Sequence, residues 1–180
     1  MSEKRKMGLK GAEALANRMI QVLKPVCQRI EVAGSIRRRK ETIGDVEIVC
    51  IPNEFVSDLF GNKDYDIEAV YQALRAYDCE IIKGGQKYIC AVRLGVQYDI
   101  FIATRDTWGC VYLIRTGSAD FTRKIVTQKS YGGYCPNDLY FHDARMWSRK
   151  DSSKPLDTPE EEDVFKAIGL PYVAPEDRWI

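Results

Sequence analysis

The sequence of 180 residues is poor in the side chains from which many metal and catalytic sites are built. It has a single histidine, His142, and its six cysteines form no C-x-x-C pair. This composition argues against histidine-rich metal sites, zinc ligation by cysteine and a disulfide framework. Most cysteines lie within apolar runs, so we expect them to be reduced core residues. Any metal ion would then be held by oxygen.

Long hydrophobic runs are also missing. No window approaches the roughly 20 apolar residues that a membrane span requires, and the amino-terminal residues lack the apolar stretch of a secretory signal. We therefore expect a soluble, intracellular protein without a membrane partner, cytoplasmic in a prokaryote or in a virus-infected host. The length suits one compact domain or two small lobes that share a core.

The net charge of +1 conceals a strong segregation of charge along the chain. Residues 1–40 and 111–150 are basic, whereas residues 41–110 and 151–180 are acidic. Blocks of opposite sign suit a protein that binds a polyanion through bound cations, but charged runs are often simply solvated faces. Charge alone therefore does not distinguish a polyanion-binding protein from one with solvated charged faces.

Apolar spacing predicts helices and short strands in alternation. The predicted helices cover residues 12–24 and 64–77, and the predicted strands cover residues 29–33, 45–51, 86–94 and 96–102. Between residues 107 and 127 the spacing again favours helices, with a break and a new N-cap at Thr116-Gly117-Ser118. The remainder is typical of a second α+β lobe, with an acid-rich helix start within residues 158–163.

Two carboxylates share one face of a predicted strand. Side chains alternate along a strand, so Asp45 and Glu47 project to the same side. Asp99 is the one charged residue on the strand 96–102, and its ionised form would need a partner if partly buried. A bridging Mg²⁺ or Mn²⁺ would supply that partner. The alternative is that Asp45 and Glu47 pair with nearby arginines on a solvated edge strand.

The segments around these carboxylates resemble a known family. Gly34-Ser35 followed by Asp45-Val46-Glu47-Ile48 resembles the signature of the polymerase-beta-like nucleotidyltransferase superfamily. Longer strings resemble the family X DNA polymerases, and together they span roughly residues 9–180. These strings are the palm motif at residues 32–47, Tyr98-Asp99-Ile100, Thr116-Gly117-Ser118 and the tail at residues 161–178.

The resemblance implies an α+β fold in two lobes. The first is a nucleotidyltransferase palm with a mixed β-sheet and flanking helices at residues 9–106. A small α+β lobe that binds nucleotide and DNA follows at residues 107–180, and a basic tail at residues 1–8 precedes the palm.

The resemblance also implies roles for individual residues. The catalytic metal ligands would be Asp45, Glu47 and Asp99, which would hold two Mg²⁺ ions, with Mn²⁺ possible; Asp99 would also accept or orient the proton of the primer 3′-hydroxyl. Nucleotide binding would involve Gly34, Ser35, Arg38, Gly44, Gly117, Ser118 and Thr122. DNA binding would involve Lys87, Arg115, Arg123 and Lys124. We expect the side chains of Arg37 and Arg39, the neighbours of Arg38, to be solvated.

The implied activity is that of a DNA-directed DNA polymerase that adds deoxynucleotides to a primer 3′-hydroxyl and fills short gaps during DNA repair. Its partners would be gapped or primed duplex DNA and deoxynucleoside triphosphates, and the chain is expected to be a monomer. Three alternatives remain open: template-independent terminal transfer, nucleotidyl transfer to a small molecule or protein, and a non-catalytic module that binds DNA ends.

The sequence also departs from the family pattern. Glu47 stands where family X polymerases usually have aspartate, and Ile114-Arg115 stands where an aromatic pair usually precedes Thr-Gly-Ser. The resemblance does not extend to the family's amino-terminal lyase and helix-hairpin-helix regions, so we expect no lyase activity on abasic sites.

Overall fold

The structure, a computed structural model, describes residues 6–179. It divides the chain into two units, one ending at Ala103 and the other beginning at Thr104. The sequence placed this boundary after residue 106. Residues 1–5 of the expected basic tail lie outside the described residues.

The first unit combines helices with a five-stranded sheet. Its helices are α1 (Leu9–Leu23), α2 (Gly34–Arg37) and α3 (Ile67–Ala76). Its strands are β1 (Met7–Gly8), β2 (Cys27–Val32), β3 (Thr42–Ile43), β4 (Val46–Pro52), β5 (Glu54–Val56), β6 (Lys63–Tyr65), β7 (Glu80–Lys83), β8 (Tyr88–Arg93) and β9 (Val96–Ile102). The sheet has the order β2-β4-β9-β8-β7, with β4 and β9 parallel and the other pairs antiparallel. This mixed sheet with flanking helices confirms the predicted fold class.

Helix α1 contributes an apolar stripe to the core of this unit. Ala12, Ala16, Met19 and Leu23 recur at steps of three or four residues and are fully buried. They belong to the same core cluster as the inward side chains of β4 and β9. The helix begins at Leu9, earlier than the apolar spacing predicted.

The central strands bury one face and carry polar groups on the other. Val46, Ile48 and Cys50 of β4 belong to the core cluster. Because side chains alternate along a strand, Glu47 points to the opposite face. The parallel pairing of β4 with β9 places Glu47 directly opposite Asp99. The register of these two strands therefore fixes the spacing of the two carboxylates.

Strands β5 and β6 form a hairpin that the sequence did not predict. They pair with each other and not with the five-stranded sheet. The backbone N–H of Asp66 donates to the carbonyl of Asn53 over 2.8 Å, so the two ends of the hairpin lie side by side. Leu59 and Phe60 at its turn are almost completely exposed.

The second unit has a core of its own. Its helices are α4 (Trp108–Thr116), α5 (Ala119–Val126) and α6 (Glu161–Ile168), and its strands are β10 (Leu139–His142) and β11 (Arg145–Ser148). The strands form a hairpin, and the three helices supply much of the buried apolar cluster. This unit is thus a small α+β lobe.

The helix boundaries of this unit follow from local capping. The side-chain oxygen of Ser118 accepts the N–H of Phe121 and caps α5, which confirms the predicted break and N-cap. Glu160 and Asp163 form a capping box at the start of α6, within the acid-rich segment that predicted a helix start.

The six cysteines are all buried, which confirms that they are core residues. Among the residues that the structure describes, no helix has both the length and the apolar character that crossing a membrane requires.

A buried ion pair links α6 to the tail segment of the second unit. The guanidinium of Arg178, fully buried, donates to Glu161 over 2.9 Å and to the carbonyl of Val173 over 2.9 Å. It lies over the rings of Phe165 and Tyr172, and the Tyr172 hydroxyl donates to Glu161 over 2.9 Å. These partners, Val173, Phe165 and Tyr172, belong to the same small lobe as the pair itself.

We predict that Arg178→Ala lowers the free energy of unfolding by roughly 3 kcal/mol, because Glu161 would stay buried without its cation. Urea denaturation of the full chain measures this. Lys166→Ala, an exposed cation on the same helix α6, is the matched control and should change stability little. A loss for Arg178→Ala no larger than that of the control would show that the pair does not stabilise the lobe.

Candidate active site

The three carboxylates predicted to bind metal lie close enough for their charges to interact. Asp45 immediately precedes β4, Glu47 lies within β4, and Asp99 lies opposite Glu47 on β9. The charges of Asp45 and Asp99 both act on Glu47. Strand alternation and parallel pairing together produce this arrangement, since neither strand carries all three groups.

Glu47 is the most perturbed acid of the group. Burial, and then the charge of Asp45, raise its pKa from 4.5 to about 7, and Asp99 adds to the rise. The nearby guanidinium of Arg38 and a hydrogen bond from the backbone N–H of Ser35 oppose it. Without a cation, this site therefore disfavours a full set of ionised carboxylates.

Asp99 is buried and is held by two neutral donors. The Tyr88 hydroxyl donates to one carboxylate oxygen over 2.7 Å, and the Gln97 amide donates to both oxygens over 2.9 Å. Burial, and then the hydrogen bond to Asp99, raise the pKa of the Tyr88 phenol. The sequence suggested a cation as the partner of Asp99, whereas the structure shows these two donors already in place.

Sequence reasoning missed Tyr88 and Gln97. Gln97 stands two residues before Asp99, and strand alternation could have placed it on the same face. Tyr88 reaches Asp99 from the neighbouring strand β8, so only the strand pairing brings them together.

The proposed phosphate-binding residues surround α2. Gly34 begins this single helical turn with φ of +60°, a conformation that suits glycine. Arg38 follows the turn and is buried, whereas Arg39 is exposed and Arg37 is half-buried. Gly44 precedes Asp45, with no atom within 4 Å of where a side chain would begin. The buried position of Arg38 sets it apart from the rest of the basic run.

Glu47 turns its carboxylate toward this turn. A β-carbon added at Gly34 would overlap the Oε2 atom of Glu47, so the carboxylate lies directly against the glycine. The Ser35 N–H donates to it. Glu47 thus contacts Gly34 and Ser35, while its charge interacts with those of Asp45 and Asp99.

The donor set suits a hard divalent cation, because carboxylate oxygens are the ligands that Mg²⁺ and Mn²⁺ prefer. The side chains are not arranged as a closed site: within residues 6–179, no three acidic, histidine or cysteine side chains form a group ready to hold a metal ion. In this arrangement Glu47 accepts a hydrogen bond from Ser35, and Asp99 accepts hydrogen bonds from Tyr88 and Gln97. The chemistry fits, and the side chains would have to reorient.

The nucleotide-binding candidates of the second unit lie at the junction of α4 and α5. Ser118 caps α5, and the hydroxyl of Thr122 donates to the carbonyl of Ile114 over 3.1 Å. A β-carbon at Gly117 would lie 2.6 Å from the Thr122 hydroxyl, which leaves no room for a larger residue. These contacts hold the turn in shape, and Thr122 fixes one carbonyl beside it.

The four DNA-binding candidates fall into two groups. Lys87 and Arg115 are exposed, on the segment before β8 and in the last turn of α4. Arg123 pairs with Asp120, and the amino group of Lys124 donates to the carbonyl of Gly132 over 2.8 Å. Arg123 and Lys124 thus each contact a neighbouring group of the same unit.

Comparisons with known proteins agree with the motifs. Residues 111–179 match the family model of the DNA polymerase beta thumb. The chain is 24% identical to DNA polymerase lambda of Rattus norvegicus over 169 residues, which cover 81% of this chain and 28% of that protein. The chain thus spans under a third of the length of this curated relative.

These findings confirm the resemblance that the motifs indicated. The chain resembles the family X DNA polymerases, with a match to the thumb in its second unit and a mixed-sheet α+β unit before it.

The raised pKa of Glu47 predicts a pH-dependent effect of Glu47→Gln. The carboxyl group of Glu47 binds its proton more tightly in the folded chain than in the unfolded chain, so protonation of Glu47 stabilises the fold. This contribution to the free energy of unfolding is complete below pH 4.5 and is lost as the pH rises through about 7. The permanently neutral glutamine should therefore stabilise the fold above pH 7, by about 3 kcal/mol at most, and change little below pH 4.5.

Thermal denaturation in EDTA between pH 4 and pH 9 measures this difference. Glu80→Gln, an exposed glutamate on β7, is the control and should give no pH-dependent gain. A stability difference between wild type and Glu47→Gln that does not change with pH would contradict the raised pKa.

Proposed function

We propose that the chain is a nucleotidyltransferase, specifically a DNA-directed DNA polymerase of family X type that fills short gaps in duplex DNA. The observation that carries the proposal is the in-register pairing of β4 and β9, which sets Glu47 opposite Asp99 with Asp45 beside them. A cluster of carboxylates on a rigid sheet is what nucleotidyl transfer through divalent cations requires.

In this proposal Asp45, Glu47 and Asp99 hold two Mg²⁺ ions, which Mn²⁺ could replace. When bound, such ions neutralise the charge of the reacting phosphates and favour the ionised 3′-hydroxyl. Asp99 accepts or orients the proton of that hydroxyl, and Tyr88 and Gln97 hold its carboxylate in one orientation. The 3′-oxygen then bonds to the α-phosphorus, and the bond to the leaving pyrophosphate breaks.

The triphosphate is assigned to the segment around α2. Arg38 presents a guanidinium close to the carboxylates, and Ser35 presents a backbone N–H. Both groups bind phosphate oxygens well. Gly44 carries no side chain that would cover its backbone, whereas Gly34 is buried beneath the Glu47 carboxylate and would become accessible only if that side chain moved.

The second unit is assigned to nucleotide and DNA. Gly117, Ser118 and Thr122 form the turn that would lie beside the nucleotide, and Lys87, Arg115, Arg123 and Lys124 would contact DNA phosphates. The support for these assignments is the thumb-type match over residues 111–179 and the exposure of Lys87 and Arg115. We expect a monomer to carry out the reaction.

Extension of a labelled primer tests the proposal. The substrates are single-stranded DNA, primed DNA and DNA with a one-nucleotide gap, each with single deoxynucleotides and with Mg²⁺ or Mn²⁺. Templated addition that is fastest at the gap supports the proposal. Addition without a template indicates terminal transfer. Transfer to small acceptors alone, or DNA binding without addition, identifies one of the other two alternatives.

We predict that Asp45→Ala, Glu47→Ala and Asp99→Ala each abolish nucleotide addition while the chain stays folded, because each removes charge that would neutralise the metal ions. The measurement is single-nucleotide insertion, with circular dichroism to confirm folding. Glu80→Ala, which removes a carboxylate from edge strand β7 of the same sheet, is the control and should retain activity. If one of the three variants retains most of the wild-type rate, that residue does not bind the metal ions.

We predict that Arg38→Ala raises the KM for the deoxynucleoside triphosphate by roughly tenfold or more, which is about 1.4 kcal/mol of binding. Arg38→Lys should recover part of this loss, since lysine keeps the charge and loses the two-nitrogen fork. Arg39→Ala, which removes an exposed charge next to it, serves as the control. An unchanged nucleotide dependence of the Arg38→Ala variant would remove Arg38 from the triphosphate site.

A further inference from the structure

The side chain of Glu47 lies among residues that the proposed function assigns to the triphosphate. Its carboxylate lies directly on Gly34, where an added β-carbon would overlap Oε2. The Ser35 N–H donates to it, and the guanidinium of Arg38 is close enough to act on its charge. Gly34, Ser35 and Arg38 are three of the residues that the proposed function gives to the triphosphate. An acidic side chain of the protein itself therefore already lies among them.

The length of the glutamate side chain makes this contact possible. The backbone of residue 47 is held in place, since its carbonyl accepts the N–H of Ala33 over 2.9 Å and its strand is in register with β9. An aspartate on the same backbone would end about 1.5 Å earlier, by one carbon–carbon bond. Its carboxylate would end short of the position that Oε2 occupies beside the Ser35 N–H, although its β-carbon would still lie against Gly34.

We propose that Glu47 is an internal competitor of the triphosphate, so that a nucleotide gains full access to Ser35 and Gly34 only when the glutamate side chain swings away. This inference rests on the proposed function and assigns a second role to one of its carboxylates. A single backbone N–H cannot donate fully to two anions, and two anions at one position repel each other. Glu47 and the triphosphate therefore exclude each other at this turn.

The inference explains what the glutamate does at a position where a shorter acid would keep the charge. With aspartate at position 47, the carboxylate would act only together with Asp45 and Asp99 in binding metal ions. With glutamate the carboxylate lies beside Ser35, and the inference requires that it move toward Asp45 and Asp99 when a triphosphate binds. The repulsion from Asp45 and Asp99 favours the position beside Ser35 as long as no cation is bound.

The test is the affinity of the full chain for a fluorescently labelled deoxynucleoside triphosphate in EDTA, followed by anisotropy. Glu47→Asp keeps the charge and withdraws the carboxylate from the Ser35 N–H, so it should bind the triphosphate roughly tenfold more tightly than wild type. Glu47→Gln removes the charge but keeps the length and an acceptor oxygen, so its gain should be smaller than that of Glu47→Asp. Equal affinities of wild type and Glu47→Asp overturn the inference.

A second pair of variants keeps the test decisive if Glu47→Asp does not fold. Glu47→Ala and Asp45→Ala each remove one carboxylate, but only the first frees the Ser35 N–H. The inference requires Glu47→Ala to bind the triphosphate more tightly than Asp45→Ala, and equal affinities overturn it.

The same titrations separate this inference from the proposed function. If wild type binds the triphosphate, and Arg38→Ala weakens it, equal affinities of the Glu47 variants overturn the inference alone. If no variant binds the triphosphate, the assignment of this turn to phosphate is wrong, and both proposals fail together.

Discussion

The parallel pairing of β4 with β9 is the constraint on which the rest of the first unit depends. It joins two strands that are distant in sequence and fixes Glu47 opposite Asp99. The same register directs Val46, Ile48 and Ile100 to the opposite face, where α1 and α3 cover them. A shift by one residue would turn the carboxylates into the core and the apolar side chains out of it. The apolar core thus maintains the geometry of the polar face.

The polar face is held by contacts that oppose its own repulsion. Three acids lie within reach of one another's charge, and the structure offsets this with Arg38, the Ser35 N–H, Tyr88 and Gln97. Burial makes these contacts more effective, because charges interact more strongly away from water. The remaining repulsion and the burial together raise the pKa of Glu47 to about 7. The fold therefore holds the three acids near one another, but it does not fully stabilise the ionised form of Glu47.

Features that depend on local periodicity could be predicted from the sequence. The stripe of α1, the shared face of Asp45 and Glu47, the break at Gly117 and the start of α6 each follow from spacing or capping within a few residues. The two lobes and the family likeness follow from motifs that span most of the chain.

Features that depend on contacts between distant segments could not be predicted. Tyr88 reaches Asp99 across a strand pair, and Glu47 reaches Gly34 across the return from α2 to β4. The edge strand β7 and the hairpin of β5 and β6 were not predicted from the sequence either, because short strands carry few alternating residues. The single turn of α2 was read as a simple turn, since four residues are too few for a periodic signal.

The hairpin of β5 and β6 has a consequence for how this chain can change over time. The chain departs at Asn53 and returns at Asp66, and one backbone hydrogen bond joins these two points. The hairpin between them pairs with itself and adds no strand to the central sheet. Such a position accepts insertion or replacement of a peptide without stretching the strands on either side. Evolution or a protein engineer can therefore splice a segment of another length between β4 and α3, a recognition loop or a whole domain, while the spacing of the carboxylates stays the same.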